Sequence, residues 1–137
     1  MRYLADTTYL IDLINGDGGA VALAKELDED YESIGLSVIS AEEYLRGIYY
    51  LYWDEKEQLK GKLANARRDL SAFEILPVTY EEVATAAEIE VIAVKRGEML
   101  SLADILIASS AISHNLTLVT RNIKHFQRIP KLRTRGY

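Results

Sequence analysis

The chain is 137 residues long, 49% hydrophobic and 27% charged, with a net charge of −5; that is the size and balance of one soluble globular domain over residues 1–137 and excludes a disordered or fibrous protein. It has no cysteine and only two histidines, His114 and His125, which excludes disulfide scaffolds, thiolate zinc sites and cysteine nucleophiles and argues against a histidine-built zinc site or a Ser-His-Asp triad. No apolar run is long enough to span a bilayer, and Asp6 close behind Met1 is incompatible with a signal peptide, so the expected location is the cytoplasm.

Tyr3-Leu4-Ala5 reads as a strand ending at Asp6, followed by a helix from Thr7 to Asn15 that Gly16 stops. A second helix starts at Asp17 and runs to about Asp28. Ser33 to Val38 is the second strand, and Ser40 opens a helix towards Trp53. Asp54 to about Leu70 is a highly charged helix, and Phe73 to Val78 is the third strand. Thr79 caps a helix from Tyr80 to about Arg96, ended by Gly97. Ser101 starts a helix whose apolar residues cover most of its circumference, which predicts a buried, central position. Leu116 to Thr120 is the fourth strand, a short helical turn follows Asn122, and Leu132 to Thr134 reads as an edge strand. The last stretch is basic: Arg121, Lys124, Arg128, Lys131, Arg133 and Arg135 occur without an acid, which leaves the rest of the chain at −11. That end could meet a polyanion, or pair with the acidic body.

Strands separated by helices predict an α/β fold: a central, mostly parallel sheet of four or five short strands with helices on both faces. Ligands of such sheets bind beyond the carboxyl ends of the strands. Asp6, Glu42 and Glu43, Asp104, and Thr120-Arg121-Asn122 all follow strands or open helices, so they are expected on one edge. Carboxylates gathered there repel one another unless a cation lies between them. With oxygen donors and no thiolate, that cation should be hard, Mg²⁺ or Mn²⁺, and such an ion suits phosphoryl chemistry. Each acid also has a structural reading. Ser40-Ala41-Glu42-Glu43, Thr79-Tyr80-Glu81-Glu82 and Ser101-Leu102-Ala103-Asp104 all fit the capping-box spacing, and Asp6 fits a simple N-cap.

Four segments in order resemble the PIN-domain ribonucleases of the VapC toxin type: the strand ending in Asp6, Ser40-Ala41-Glu42-Glu43-Tyr44-Leu45-Arg46-Gly47, Leu102-Ala103-Asp104-Ile105-Leu106-Ile107-Ala108, and Leu118-Val119-Thr120-Arg121-Asn122 with Phe126 and Pro130 after it. The resemblance implies a three-layer PIN-like fold and a metal-dependent endoribonuclease, often a dimer, encoded beside a small antitoxin. It matches Asp6 and Asp104 to the family's principal metal-binding acids. The family's second acid stands four residues before a glycine, so Gly47 selects Glu43 over Glu42. Many members carry an acid where this chain has Asn122 or His125. Asn122 can still offer a neutral oxygen, and Thr120 resembles the hydroxyl residue beside the site.

The expected activity is therefore hydrolysis of RNA phosphodiesters by Asp6, Glu43 and Asp104 with Mg²⁺ or Mn²⁺. Arg46, Thr120 and Arg121 are the candidates for contact with the RNA backbone. The alternatives are a non-catalytic RNA- or protein-binding module of the same fold, or an RNA-processing nuclease with no toxin role. The helix after Ser40 is rich in Tyr and Trp, side chains suited to surfaces that a partner covers. Tyr49, Tyr52 and Trp53 are the candidates for an antitoxin groove, with another face left for a homodimer.

Overall fold

A computed structural model describes residues 1–137. Five strands, β1 (Tyr3–Ala5), β2 (Ile34–Ser37), β3 (Glu74–Leu76), β4 (Thr117–Val119) and β5 (Arg133–Arg135), form one sheet in the order β3-β2-β1-β4-β5. Every pairing is parallel. The helices are α1 (Thr7–Ile14), α2 (Gly18–Glu29), α3 (Val38–Tyr52), α4 (Lys56–Leu70), α5 (Tyr80–Lys95), α6 (Leu102–Ser113) and α7 (Ile123–Phe126).

The chain winds outward from β1 to β3, then returns to the other side of β1 as β4 and β5. Right-handed crossovers in opposite directions put their helices on opposite faces. The two hydrophobic cores follow this division. One holds Tyr9, Leu10, Leu23, Leu27, Ala41 and Leu70 from the first four helices, and the other holds Ile89, Ile105, Ile107, Ala108 and Phe126 from the last three. Neighbouring strand residues alternate between them: Leu4 and Leu118 face the second core, Ala5 and Val119 the first. The layers are thus helix, sheet, helix, as expected.

Most helix boundaries lie where capping chemistry puts them. Asp17 caps α2 through the Ala20 N–H, and Ser101 caps α6 through the Asp104 N–H. Gly16 and Gly97 take positive φ, 78° and 68°, beyond the ends of α1 and α5. The start of α3 differs from expectation. Its cap is Ser37, whose hydroxyl accepts from the Ile39 N–H at 3.1 Å, so the helix begins at Val38. Ser40 is therefore inside the first turn and fully buried, and the expected Ser40–Glu43 capping box does not exist. Glu42 and Glu43 stand in the second turn, not the first.

Candidate active site

The winding direction reverses between β1 and β4, and a crevice opens at the carboxyl ends of strands at such a switch point. Asp6 follows β1 and Thr120 follows β4, and the two are joined directly. The Thr120 hydroxyl donates to Asp6 Oδ2 at 2.6 Å. The Asn122 N–H donates to Thr120 Oγ1 at 2.9 Å, which leaves the hydroxyl proton for Asp6.

Asp6 also caps α1. Its Oδ1 accepts from the Tyr9 N–H at 2.8 Å, and the Thr8 hydroxyl lies 2.7 Å and 2.9 Å from its two oxygens. The residue is only 3% exposed. Burial lifts its pKa above 3.8, the donors from Thr120, Tyr9 and Thr8 pull it down without cancelling the rise, and the charge of Asp104 adds to it. The buried carboxylate thus feels a second acid, and no Lys, Arg or His of the chain bonds it.

Glu43 is joined to this centre through Thr7, the residue after Asp6. The Thr7 hydroxyl donates to Glu43 Oε1 at 2.7 Å and stands 3.0 Å from Ser40 Oγ. Glu42, about 100° around the helix, is exposed and paired with Arg46 at 3.0 Å. Asp104 sits in the first turn of α6, and its Oδ2 lies 2.8 Å from His125 Nε2. Arg128 Nη2 lies 3.4 Å from the other ring nitrogen. Asn122 is exposed beside them, and its carboxamide makes no hydrogen bond within the chain.

No three acids or histidines close into a ready ligand set in this conformation, because Glu43 is turned onto Thr7 and Asp104 onto His125. The donors nonetheless suit a hard cation. They are carboxylate and amide oxygens, and the innermost carboxylate is buried without a counter-charge.

Of the two expectations for the basic end, the structure shows pairing with the acidic body at Arg121 and Arg135. Arg121 Nη1 is held by both oxygens of Asp12, at 3.2 Å and 3.1 Å. Arg133 bonds the carbonyl and side chain of Asn115, and Arg135 bonds Glu26 and the Tyr3 hydroxyl. The basic end is therefore not one cationic surface, and Arg133 and Arg135 serve the fold. Lys124, in the short helix after Asn122, is exposed and unpaired.

Sequence reasoning passed over Thr7, Thr8, Asp12, His125 and Tyr137. Only His125 carried a signal, since it stands where the resembling family often has an acid. At the end of α3, Tyr49 and the C-cap residue Trp53 are 42% and 59% exposed with ring centroids 6.3 Å apart, and Tyr52 is half-buried. Arg46, Tyr49, Tyr50 and Trp53 line one groove, and a second, lined by Val38, Ala41 and Leu45 among others, shares Arg46 and Tyr49 with it.

Residues 3–132 match the PIN domain family. The chain is 33% identical over 133 residues to ribonuclease VapC2 of Rickettsia felis, covering 96% of this chain and 95% of that protein. It is 30% identical over 136 residues to ribonuclease VapC1 of Methanocaldococcus jannaschii, covering 99% and 87%. Among solved structures, VapBC2 from Rickettsia felis bound to a DNA fragment from its promoter is similar with a TM-score of 0.83 and 31% identity, covering 100% of this chain and 99% of that one. VapBC-1 from nontypeable Haemophilus influenzae, 22% identical with a TM-score of 0.84 over 99% and 98% of the two chains, has the same fold. The family match over residues 3–132, with relatives at least 30% identical along nearly the whole chain, makes the chain a member of the PIN-domain family, among the VapC ribonucleases.

Proposed function

We propose that this ribonuclease depends on Mg²⁺ or Mn²⁺, cuts within RNA at the edge formed by Asp6, Glu43 and Asp104, and is the toxin of a toxin–antitoxin pair. The observation that carries the reading is the buried Asp6 carboxylate, which feels the charge of Asp104 and has no cation of the chain to balance it. Asp6, Glu43 and Asp104 would hold the ion directly or through water, with Asn122 offering a neutral oxygen at the rim. An ion of this kind, when bound, lowers the pKa of a water molecule and neutralises charge on a phosphate.

The chain's own residues prepare that chemistry. Three donors hold Asp6 in one rotamer, so its oxygens need no reorientation. Thr7 holds Glu43 by one oxygen, and His125 holds Asp104 by one oxygen, which leaves the second oxygen of each without a bond in the chain. Lys124 and Arg121 flank the edge and contact the RNA backbone.

Two partners belong to the reading. The relatives solved as VapBC complexes support a small antitoxin, which we place along α3 over Arg46, Tyr49, Tyr52 and Trp53. A second copy suits α5, where Tyr80, Val83, Val91 and Val94 are exposed along one stripe with Ala87 at its middle. Glu81 lies in the first turn of that helix and Lys95 in its last, so two copies packed antiparallel set acid against base. The site of action is the cytoplasm.

The test is purified protein with a panel of structured RNAs, in Mg²⁺ or Mn²⁺ and in excess EDTA. Cleavage is expected only with the ion. Cleavage that persists in EDTA overturns the metal reading, and RNA binding without cleavage under any metal favours a non-catalytic module.

A further inference from the structure

The last residue of the sequence lies beside the first helix of the site. Strand β5 runs parallel to β4, the Thr120 N–H donates to the Arg135 carbonyl, and the chain then delivers Tyr137 against α1. There its ring meets Tyr9 edge-on, with centroids 5.1 Å apart, and Tyr9 is fully buried. The Tyr137 hydroxyl donates to Asp12 Oδ2 at 2.6 Å. Burial, with the hydrogen bond to Asp12 next, raises the pKa of Tyr137 far enough that the phenol stays a donor at any working pH. Asp12 stands four residues after Thr8 on α1, so it shares the helix face that Thr8 turns to Asp6. Its side chain is 13% exposed, yet it holds the Nη1 of Arg121, whose own side chain is 61% exposed. The Nε and Nη2 of Arg121 have no partner in the chain.

We propose that Tyr137 is a positioning residue for RNA: it fixes Asp12, and Asp12 holds Arg121 by one nitrogen so that the remaining edge of the guanidinium is set to receive a phosphate at the rim of the acid site. The inference rests on the reading of that edge as the RNA site. A long arginine free in solvent would lose rotamer entropy when it grips a phosphate, and here Asp12 removes much of that freedom in advance. Asp12 also offsets the charge of Arg121, so the pair contributes direction more than attraction. The ion pair alone leaves Asp12 able to turn about its own bonds. The phenol removes that freedom by taking the oxygen that Arg121 shares.

The experiment measures binding of a fluorescein-labelled RNA hairpin by anisotropy, in EDTA so that nothing is cut, across a series of salt concentrations. Arg121→Gln is expected to weaken binding about five- to tenfold and to reduce the salt slope by about 1. Tyr137→Phe keeps the ring on Tyr9 and is expected to weaken binding about threefold, with no further loss when added to Arg121→Gln. The Arg121 Nε–H signal in ¹⁵N relaxation is expected to be ordered in the wild type and mobile in Tyr137→Phe, a readout that needs no RNA. Three results overturn the proposal: wild-type binding by Tyr137→Phe where Arg121→Gln is weakened, losses that multiply in the double variant, or an Arg121 side chain equally mobile with and without the hydroxyl. Unchanged binding by Arg121→Gln instead overturns the placing of RNA at Arg121.

Discussion

Two buried acids, Asp6 and Glu82, stand at helix starts on opposite faces of the sheet, and they are treated differently by the fold. Asp6 is 3% exposed, with three donors divided between its oxygens and another acid's charge acting on it. Glu82 is fully buried between α5 and α6, with one oxygen 2.9 Å from His114 Nε2 and the other without any partner. Ser110, buried on α6, also has an unbonded hydroxyl. Burial of a carboxylate therefore does not mark a site by itself. What separates the two is the company: Glu82 faces a base, and Asp6 feels the charge of another acid.

The comparison breaks most decisively on activity. Asp104→Asn and Asp6→Asn are each expected to lower RNA cleavage by about 10²–10³-fold, a loss typical of removing a charge that acts on the transition state. Unchanged cleavage by either variant would move the site elsewhere. Asp6→Asn should also melt higher than the wild type in EDTA, because Asn keeps the cap and loses the buried charge. The sign follows from the raised pKa. A carboxyl whose folded pKa lies above its unfolded value stabilises fully below that unfolded value, and the benefit is lost as pH rises through the folded pKa. The gap between Asp6→Asn and the wild type should thus be widest at neutral pH and close as pH falls towards 3.8. Thermal melts across that range check it, and a gap that widens in acid would contradict it. Added Mg²⁺ should raise the melting temperature of the wild type and leave that of Asp6→Asn unmoved.

The next effects sharpen the contrast between adjacent residues. Glu43→Gln is expected to lose about 10²-fold in activity, and Thr7→Val about tenfold, since Thr7 only orients the carboxylate. Glu42→Gln should be nearly silent, because Glu42 is exposed and its one partner is Arg46. Equal losses at Glu42 and Glu43 would show that both act. The smallest effect belongs to the other face. Glu82→Met removes a buried charge with an unbonded oxygen, so it should leave cleavage unchanged and add about 1 kcal/mol of stability. Urea unfolding and the RNA assay together decide it. A loss of activity at equal folding would give Glu82 a functional role.

Local chemistry was readable in the sequence wherever it decided the outcome. The Ser101 cap of α6, the helix-ending glycines and the alternation of strands and helices all rest on contacts within a few residues. The start of α3 was not readable, because Ser37 and Ser40 are both competent caps. The choice fell to Ser37, which ends β2 in register with Leu76 of β3, and the hydroxyl of Ser40 went to Thr7 instead. The arginines illustrate a second limit. Arg121 and Asp12 lie 109 positions apart, and no periodicity connects them. Asp6, Glu43 and Asp104 could be assigned to one edge from topology, but their partners Thr7 and His125 depend on rotamers that topology does not set.

The bond between Thr120 and Asp6 spans 114 positions, and it has a consequence for synthesis. β1 leaves the ribosome first, yet its second neighbour, β4, is made near the end, and β5, whose Arg135 carbonyl binds the Thr120 N–H, comes last. A nascent chain can pair β1 with β2 early, but the carboxylate of Asp6 has only one wall until β4 emerges. An enzyme that degrades RNA is translated from RNA. Its edge is complete only after β4 and β5 have joined β1, so a chain that stops before β4 lacks the wall that Thr120 gives Asp6.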